Sequence, residues 1–178
     1  MRFPRLALAL AMALTLALMA APASQAACSS ASASVKTAGK RALVRATLCV
    51  LNVERRKRGL RPLRLNRKLS RAARGHSSAM AARHFFSHDS LGGGSFVDRI
   101  RRTGYLRGAR SWNVGENIAW GSGSLGTPRA IGRAWMNSPG HRANILSRSF
   151  RAIGIGISAG TPSGGGGATY TTDFGRRG

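Results

Sequence analysis

The apolar positions of this chain follow a helical period first and a strand period later. Leu43, Thr47, Val50 and Leu51 fall on one face of a helix predicted over Arg41 to Arg58, with Gly59 placed to end it. Leu60, Pro62, Leu63 and Leu65 read as a connecting segment. Leu69, Ala72, Ala73, His76, Ala79 and Met80 then recur at i, i+3, i+4, i+7 spacing, behind Asn66 as a cap. A short third helix is predicted from Ser95, with Asp98 in its first turn and a stop at Gly104. Asn117 to Trp120 reads as a strand. Thr127-Pro128 opens a fourth helix that turns Ile131, Ala134 and Trp135 inward, and Pro139-Gly140 is expected to close it. Ile153, Ile155 and Ile157 alternate with Gly154 and Gly156, and Tyr170, Thr172 and Phe174 repeat the two-residue period. With Gly164 to Gly167 between them, these two strands are expected to pair as an antiparallel hairpin. Helices followed by strands predict an α+β domain.

The N-terminus changes this picture. Arg2 and Arg5 precede an apolar run of Leu, Ala and Met, followed by Ala-x-Ala spacing at Ala21 and Ala23. Residues 1–27 read as a secretory signal peptide, which places the mature protein outside the cytoplasm, secreted or in the cell envelope. No transmembrane segment is expected in the mature chain, because no later apolar run is long enough to cross a bilayer. A lipid anchor on Cys28 is the competing reading, although Gln25-Ala26-Ala27 lacks the usual leucine. Residues 28–40 form an N-terminal arm of small polar residues, and 41–178 make one domain with a sizeable core. Both cysteines, Cys28 and Cys49, lie early in that mature chain. An even count in an oxidising compartment favours a disulfide stapling the arm to the first helix, with two buried free thiols as the alternative.

Lys and Arg number 29 against 5 Asp and Glu, for a formal net charge of +24. Such a field attracts polyanions without choosing among them. The arginines are spread along every helix, so a solvated basic surface competes with a dedicated site for anionic surfaces or cell-wall polymers. Specific nucleic-acid recognition is not expected.

Three polar residues interrupt apolar or turn sequence at element edges: His88 after Phe86-Ser87, Glu116 in Gly115-Glu116-Asn117-Ile118, and His141 in Ser138-Pro139-Gly140-His141. Should they converge, two imidazoles and a carboxylate would make a half-open site for a divalent cation such as Zn²⁺ or Mg²⁺. Other motifs are weaker. Gly121-Ser122-Gly123-Ser124-Leu125-Gly126 has the outline of a dinucleotide fingerprint, but no acid follows it before Asp173 to bind a ribose, so it reads as a loop. His84 and His88 would form an i, i+4 metal pair only on a helix carried through two phenylalanines. Ser87-His88-Asp89 is no triad, since neighbouring side chains diverge. His76 reads as a core histidine, and Trp112, Trp120 and Trp135 as core or cleft-wall residues. Glu116 also has a structural role open to it, clamping backbone amides or an arginine, and His141 could brace the end of the fourth helix.

Taken in order, Asn52-Val53-Glu54-Arg55, Phe86-Ser87-His88, Gly115-Glu116-Asn117-Ile118, Trp135, Ser138-Pro139-Gly140-His141-Arg142-Ala143-Asn144-Ile145-Leu146 and Tyr170 to Gly175 resemble the motifs of the CAP superfamily of secreted proteins, in its bacterial SCP-domain form. The likeness runs from about Thr47 to Gly175. It implies a three-layer α-β-α sandwich around a small, mainly antiparallel sheet, with a central cleft. In the family that cleft is lined by two histidines and two glutamates, and the histidines can hold a divalent cation. Carried over, His88, Glu116 and His141 take three cleft positions, with His88 and His141 the metal candidates. The fourth position is Ser138, whose hydroxyl supplies no charge. The cysteine-rich C-terminal extension of some members is absent. Asn52 and Arg55 read as structural ties between the first helix and the rest.

These readings leave three functions to separate. The first is a non-catalytic extracellular module binding a small molecule, lipid or glycan in the cleft, and the chain offers no activated nucleophile. The second is a metal-assisted hydrolase of peptide or cell-wall bonds with Glu116 as general base. The third is a basic wall protein that binds polyanions.

Overall fold

A computed structural model describes residues 28–178, so the expected leader lies outside the described residues. Helix α1 (Lys40–Arg56) buries Leu43, Thr47 and Leu51, as its pattern predicts. The first departure follows it. Arg64–Leu65, read as connection, forms a two-residue strand, β1, too short to leave a period in the sequence. In α2 (Arg67–Ala82), Asn66 Oδ1 accepts from the amides of Lys68 and Leu69. In α3 (Phe96–Arg102), Ser95 and Asp98 cap one another reciprocally. β2 (Trp112–Gly121) is longer than its four-residue apolar signal, and Thr127 caps α4 (Pro128–Asn137).

α4 stops at Asn137, before Pro139-Gly140 as expected, and the same proline begins another helix, α5 (Pro139–Leu146). Proline at the first helical position loses no hydrogen bond, and its fixed φ suits a helix start. His141 therefore sits in the first turn of α5 instead of bracing the end of α4. Strands β3 (Ala152–Ala159) and β4 (Ala168–Arg177) form the expected antiparallel hairpin. The sheet order is β1-β3-β4-β2, with one parallel pair, β1 with β3, so β2 is an edge strand.

The register sorts the two faces. Ile153, Ile155, Ile157, Tyr170 and Phe174 pack with Leu43 and Leu51 of α1, Ile131 and Trp135 of α4 and Ile145 of α5. On the other face α2 lies directly on the sheet. A Cβ added at Gly154 would sit 2.1 Å from the Leu69 carbonyl carbon, and one at Gly156 would sit 2.2 Å from the Ala73 carbonyl oxygen. The alternating glycines thus admit a helix backbone where side chains would hold it off. Leu69, Ala72, Ile100 and Tyr105 complete this second core. The result is an α-β-α sandwich.

Polar ties fasten the layers. Asn52 donates to the Leu63 carbonyl and accepts from the Leu63 amide. Buried Arg55 donates to the carbonyls of Arg61, Ile145 and Ser147, joining α1 to the end of α5. The Cys28–Cys49 disulfide staples the arm to α1, and the Ala31 carbonyl accepts from the Arg129 amide of α4. Trp135 is buried and donates through Nε1 to the Ile118 carbonyl. Trp112 and Trp120 are not core residues, because both lie on the edge strand with more than two fifths of their surface exposed.

Gly156→Ala should destabilise the domain by about 1–3 kcal/mol through overpacking of α2 on β3. Gly140→Ala, where a Cβ meets nothing within 4 Å, should stay within about 0.5 kcal/mol of the parent. Urea unfolding of both variants checks this, and equal effects would contradict the close-approach explanation.

Candidate functional site

Glu116, Ile118 and Trp120 alternate along β2 on the face that carries α2 and α3, while Gly115 and Asn117 turn toward α5. Glu116 is fully buried at its side chain. Its Oε2 accepts from Arg99 Nη2 at 2.6 Å, and its Oε1 lies 2.8 Å from His88 Nδ1. A carboxylate only accepts, so His88 Nδ1 carries a proton and Nε2 is left unengaged by Glu116. Nearly half of the His88 side chain is exposed. Glu116 therefore works from inside the protein, fixing the rotation of a ring at the surface.

The loop that carries His88 is anchored separately. α2 ends at Ala82, and His84 adopts a left-handed φ of 53°, so the helical His84–His88 pair does not form. Buried His76 directs Nε2 at the Ser87 carbonyl, 2.8 Å away, and packs edge-on against Phe85. Because a carbonyl only accepts, His76 Nε2 is the protonated nitrogen. Burial pushes the His76 pKa down, partly opposed by the Glu116 charge. This is the core role expected of His76, and it positions the residue next to His88.

His141 approaches from the opposite face, around the open edge of β2. Its carbonyl accepts from Asn117 Nδ2, and Asn144 Nδ2 donates to the Glu116 carbonyl and to Asn117 Oδ1. These bonds hold the first turns of α5 against β2. The His141 pKa is lowered, first by partial burial and then by the proximity of a second imidazole, His88. Ser138 ends α4 and begins α5, and its side chain caps neither. No bond links it to His88 or Glu116.

Two participants were not among the predicted site residues. Arg99 is buried on α3 beside Ile100; a basic residue on the inner face of a short helix was its only signal. Asp173 lies directly across from Glu116 in the β2–β4 register and is buried, with neither carboxylate oxygen bonded to a donor from another residue. Burial and then the Glu116 charge push its pKa well above the usual carboxylate range, against the pull of Arg99. Two buried carboxyl groups this close do not both ionise. Asp173 has no cation bonded to it, so its neutral form is the favoured one.

This donor set bears on a divalent cation. Both Glu116 oxygens are engaged by Arg99 and His88, and among the described residues no three His, Cys, Asp or Glu side chains are grouped to hold a metal ion. An ion here would have the imidazoles of His88 and His141, with Glu116 behind His88 as an outer partner. Catalytic zinc sites carry three protein ligands, and this donor set does not fit one. The glycine-rich turn is no phosphate cradle either. It forms a 3-10 turn at Gly123–Gly126 folded back on itself, with the Gly121 carbonyl oxygen 2.5 Å from where a Gly126 Cβ would sit.

Asp173→Asn should reproduce the neutral carboxyl group. A raised folded pKa gives Asp173 a contribution to stability that is complete below the unfolded value, about 3.9, and is lost as pH rises through the folded value. Thermal unfolding from pH 4 to 8 should show the variant gaining on the parent as pH rises. A pH-independent loss would contradict the neutral form of Asp173.

Comparison with known proteins agrees with this fold. The model of the CAP, cysteine-rich secretory protein family matches residues 48–173. The uncharacterised protein YkwD of Bacillus subtilis is 42% identical over 105 residues, covering 59% of this chain and 38% of that protein. The uncharacterised membrane protein YlbC of the same organism is 34% identical over 110 residues, covering 62% of this chain and 30% of its own. The chain thus matches less than half the length of these curated relatives. Among solved structures, an extracellular SCP-domain protein from Bacillus anthracis superposes with a TM-score of 0.62 at 28% identity, covering 79% of this chain and 44% of that one. An outer surface protein from Borrelia burgdorferi shares the fold at 22% identity, with a TM-score of 0.59 and coverage of 72% and 87%. Sequence, fold and order of motifs converge on one conclusion: the chain belongs to the CAP, or cysteine-rich secretory protein, family.

Proposed function

We propose that the protein is a secreted, non-catalytic module that binds an extracellular ligand at the outer edge of β2, between His88 and His141. The observation that carries this reading is the engagement of Glu116. Both of its oxygens accept short hydrogen bonds inside the protein, so it orients an imidazole and has no free lone pair aimed at solvent to serve as a general base. The neutral His88 ring then offers Nε2 as an acceptor at the surface, while Phe86 two residues before it and Trp120 on the same strand face as Glu116 are exposed. A surface acceptor with exposed aromatic side chains on the same loop and strand suits a small molecule, lipid or glycan carrying a hydroxyl donor. The extracellular and outer-surface descriptions of the Bacillus anthracis and Borrelia burgdorferi proteins support export. Among the described residues no helix is long and apolar enough to cross a membrane.

A divalent-metal-assisted hydrolase is the second reading. One observation favours it: a histidine held by a carboxylate at one nitrogen is the outer-partner arrangement of many metal ligands. Two imidazoles without a third protein ligand weigh against it.

Imidazole NMR during titration with soluble lipids and cell-wall glycan fragments separates the readings. Under the binding reading one ligand class shifts the His88 and His141 resonances, no product forms, and Glu116→Gln weakens binding about tenfold by freeing the His88 ring. Product formation that Glu116→Gln abolishes would overturn it in favour of hydrolysis. Ligand-induced shifts confined to other residues would overturn the choice of cleft.

A further inference from the structure

The strongest concentration of uncompensated charge lies away from the His88 cleft. β1 covers only the start of β3, pairing with Ala152 and Ile153. Beyond it, a groove of about 690 Å³ runs between α1 and α2. Lys40, Arg41 and Arg45 line one wall from α1, and Arg67, Arg71 and Arg74 line the other from α2. Val44, Leu65, Ile155 and Ile157 contribute its apolar surface. All six cations are exposed. Among the described residues none of the six makes an ion pair, and no acid lines the groove.

Two features distinguish this groove from the generally basic surface. Arg41 and Arg45 stand one helical turn apart, as do Arg67, Arg71 and Arg74, so like charges repel within each wall. The groove beside Glu54 is different, since that carboxylate pairs with Lys57 and Arg58 there. In addition, α1 begins in the groove with no side-chain cap at Gly39. The open amides and positive dipole end of a 17-residue helix thus add to the charge of Lys40 and Arg41.

We infer that this groove is a binding site for a flexible, linear polyol-phosphate chain of the cell-wall kind, held by arginine forks on both walls. A phosphodiester group presents two non-bridging oxygens, which the planar guanidinium fork of arginine meets with two donors at once. A polyol backbone has apolar methylene and methine groups to lay on the exposed Leu65 and half-buried Val44. Single-stranded nucleic acid fits less well, because its bases need aromatic stacking platforms and no aromatic residue lines the groove. This site is independent of the His88 cleft.

The test is binding of the purified protein to a synthetic glycerol-phosphate oligomer, followed by fluorescence anisotropy across a salt series. The variants are Arg45→Gln/Arg71→Gln/Arg74→Gln and, for the same loss of charge elsewhere, Arg83→Gln/Arg110→Gln/Arg176→Gln. The groove variant should lose at least tenfold in affinity, and its salt slope should fall by about 2, at roughly 0.7 per phosphate contact for single strands. The control variant should change less than threefold, and both should keep the parent's circular dichroism. Equal losses in the two variants would overturn the site in favour of the general field. Equal or tighter binding of oligo(dT) or polyglutamate of matched charge would overturn the assigned ligand.

Discussion

The salt bridge between Arg99 and Glu116 is the contact on which the candidate cleft depends. It places a fully buried carboxylate on an edge strand, where no charge would otherwise be tolerated, and neutralises it from a short helix on the same face. With one oxygen committed to Arg99, the other is free to hold His88. Opposite them, burial and the repulsion of a second buried anion push the Asp173 pKa up and favour its neutral form. Removing Arg99 would leave Glu116 buried without a counter-charge and release the ring it orients.

The same strand links the two histidines although they belong to different layers. Glu116 faces α2 and α3 with its side chain, while its carbonyl accepts from Asn144 of α5. Asn117, one residue on, faces the other way and holds the His141 carbonyl. Alternation along β2 thus fastens the His88 loop and the His141 helix to one edge. Ser138 contributes the joint between α4 and α5, and no charge.

Much of this was legible in the sequence. Alternating Ile and Gly in β3 gave both the buried face and, through Gly154 and Gly156, room for α2, and the caps at Asn66, Ser95 and Thr127 marked helix starts. The ordered motifs carried the family, and with it His88, Glu116 and His141. What stayed hidden depended on register or on lengths below one period. β1 has two residues, and α5 starts on a proline that equally suits a helix end. Asp173 becomes meaningful only once β4 is set against β2, and Arg99 only once α3 turns inward. Trp112 and Trp120 could be read as core or cleft wall, because nothing in the sequence says that β2 is an edge.

The central physical claim is that Glu116 is an internal clasp that fixes His88 and not a reagent facing solvent. Imidazole ¹⁵N NMR of the protein at neutral pH reads this most directly. A clasped ring keeps a proton on Nδ1, bonded to Glu116, and shows a protonated Nδ1 signal for His88. A His88 ring with Nδ1 unprotonated, or averaging between tautomers as a free histidine does, would contradict the clasp.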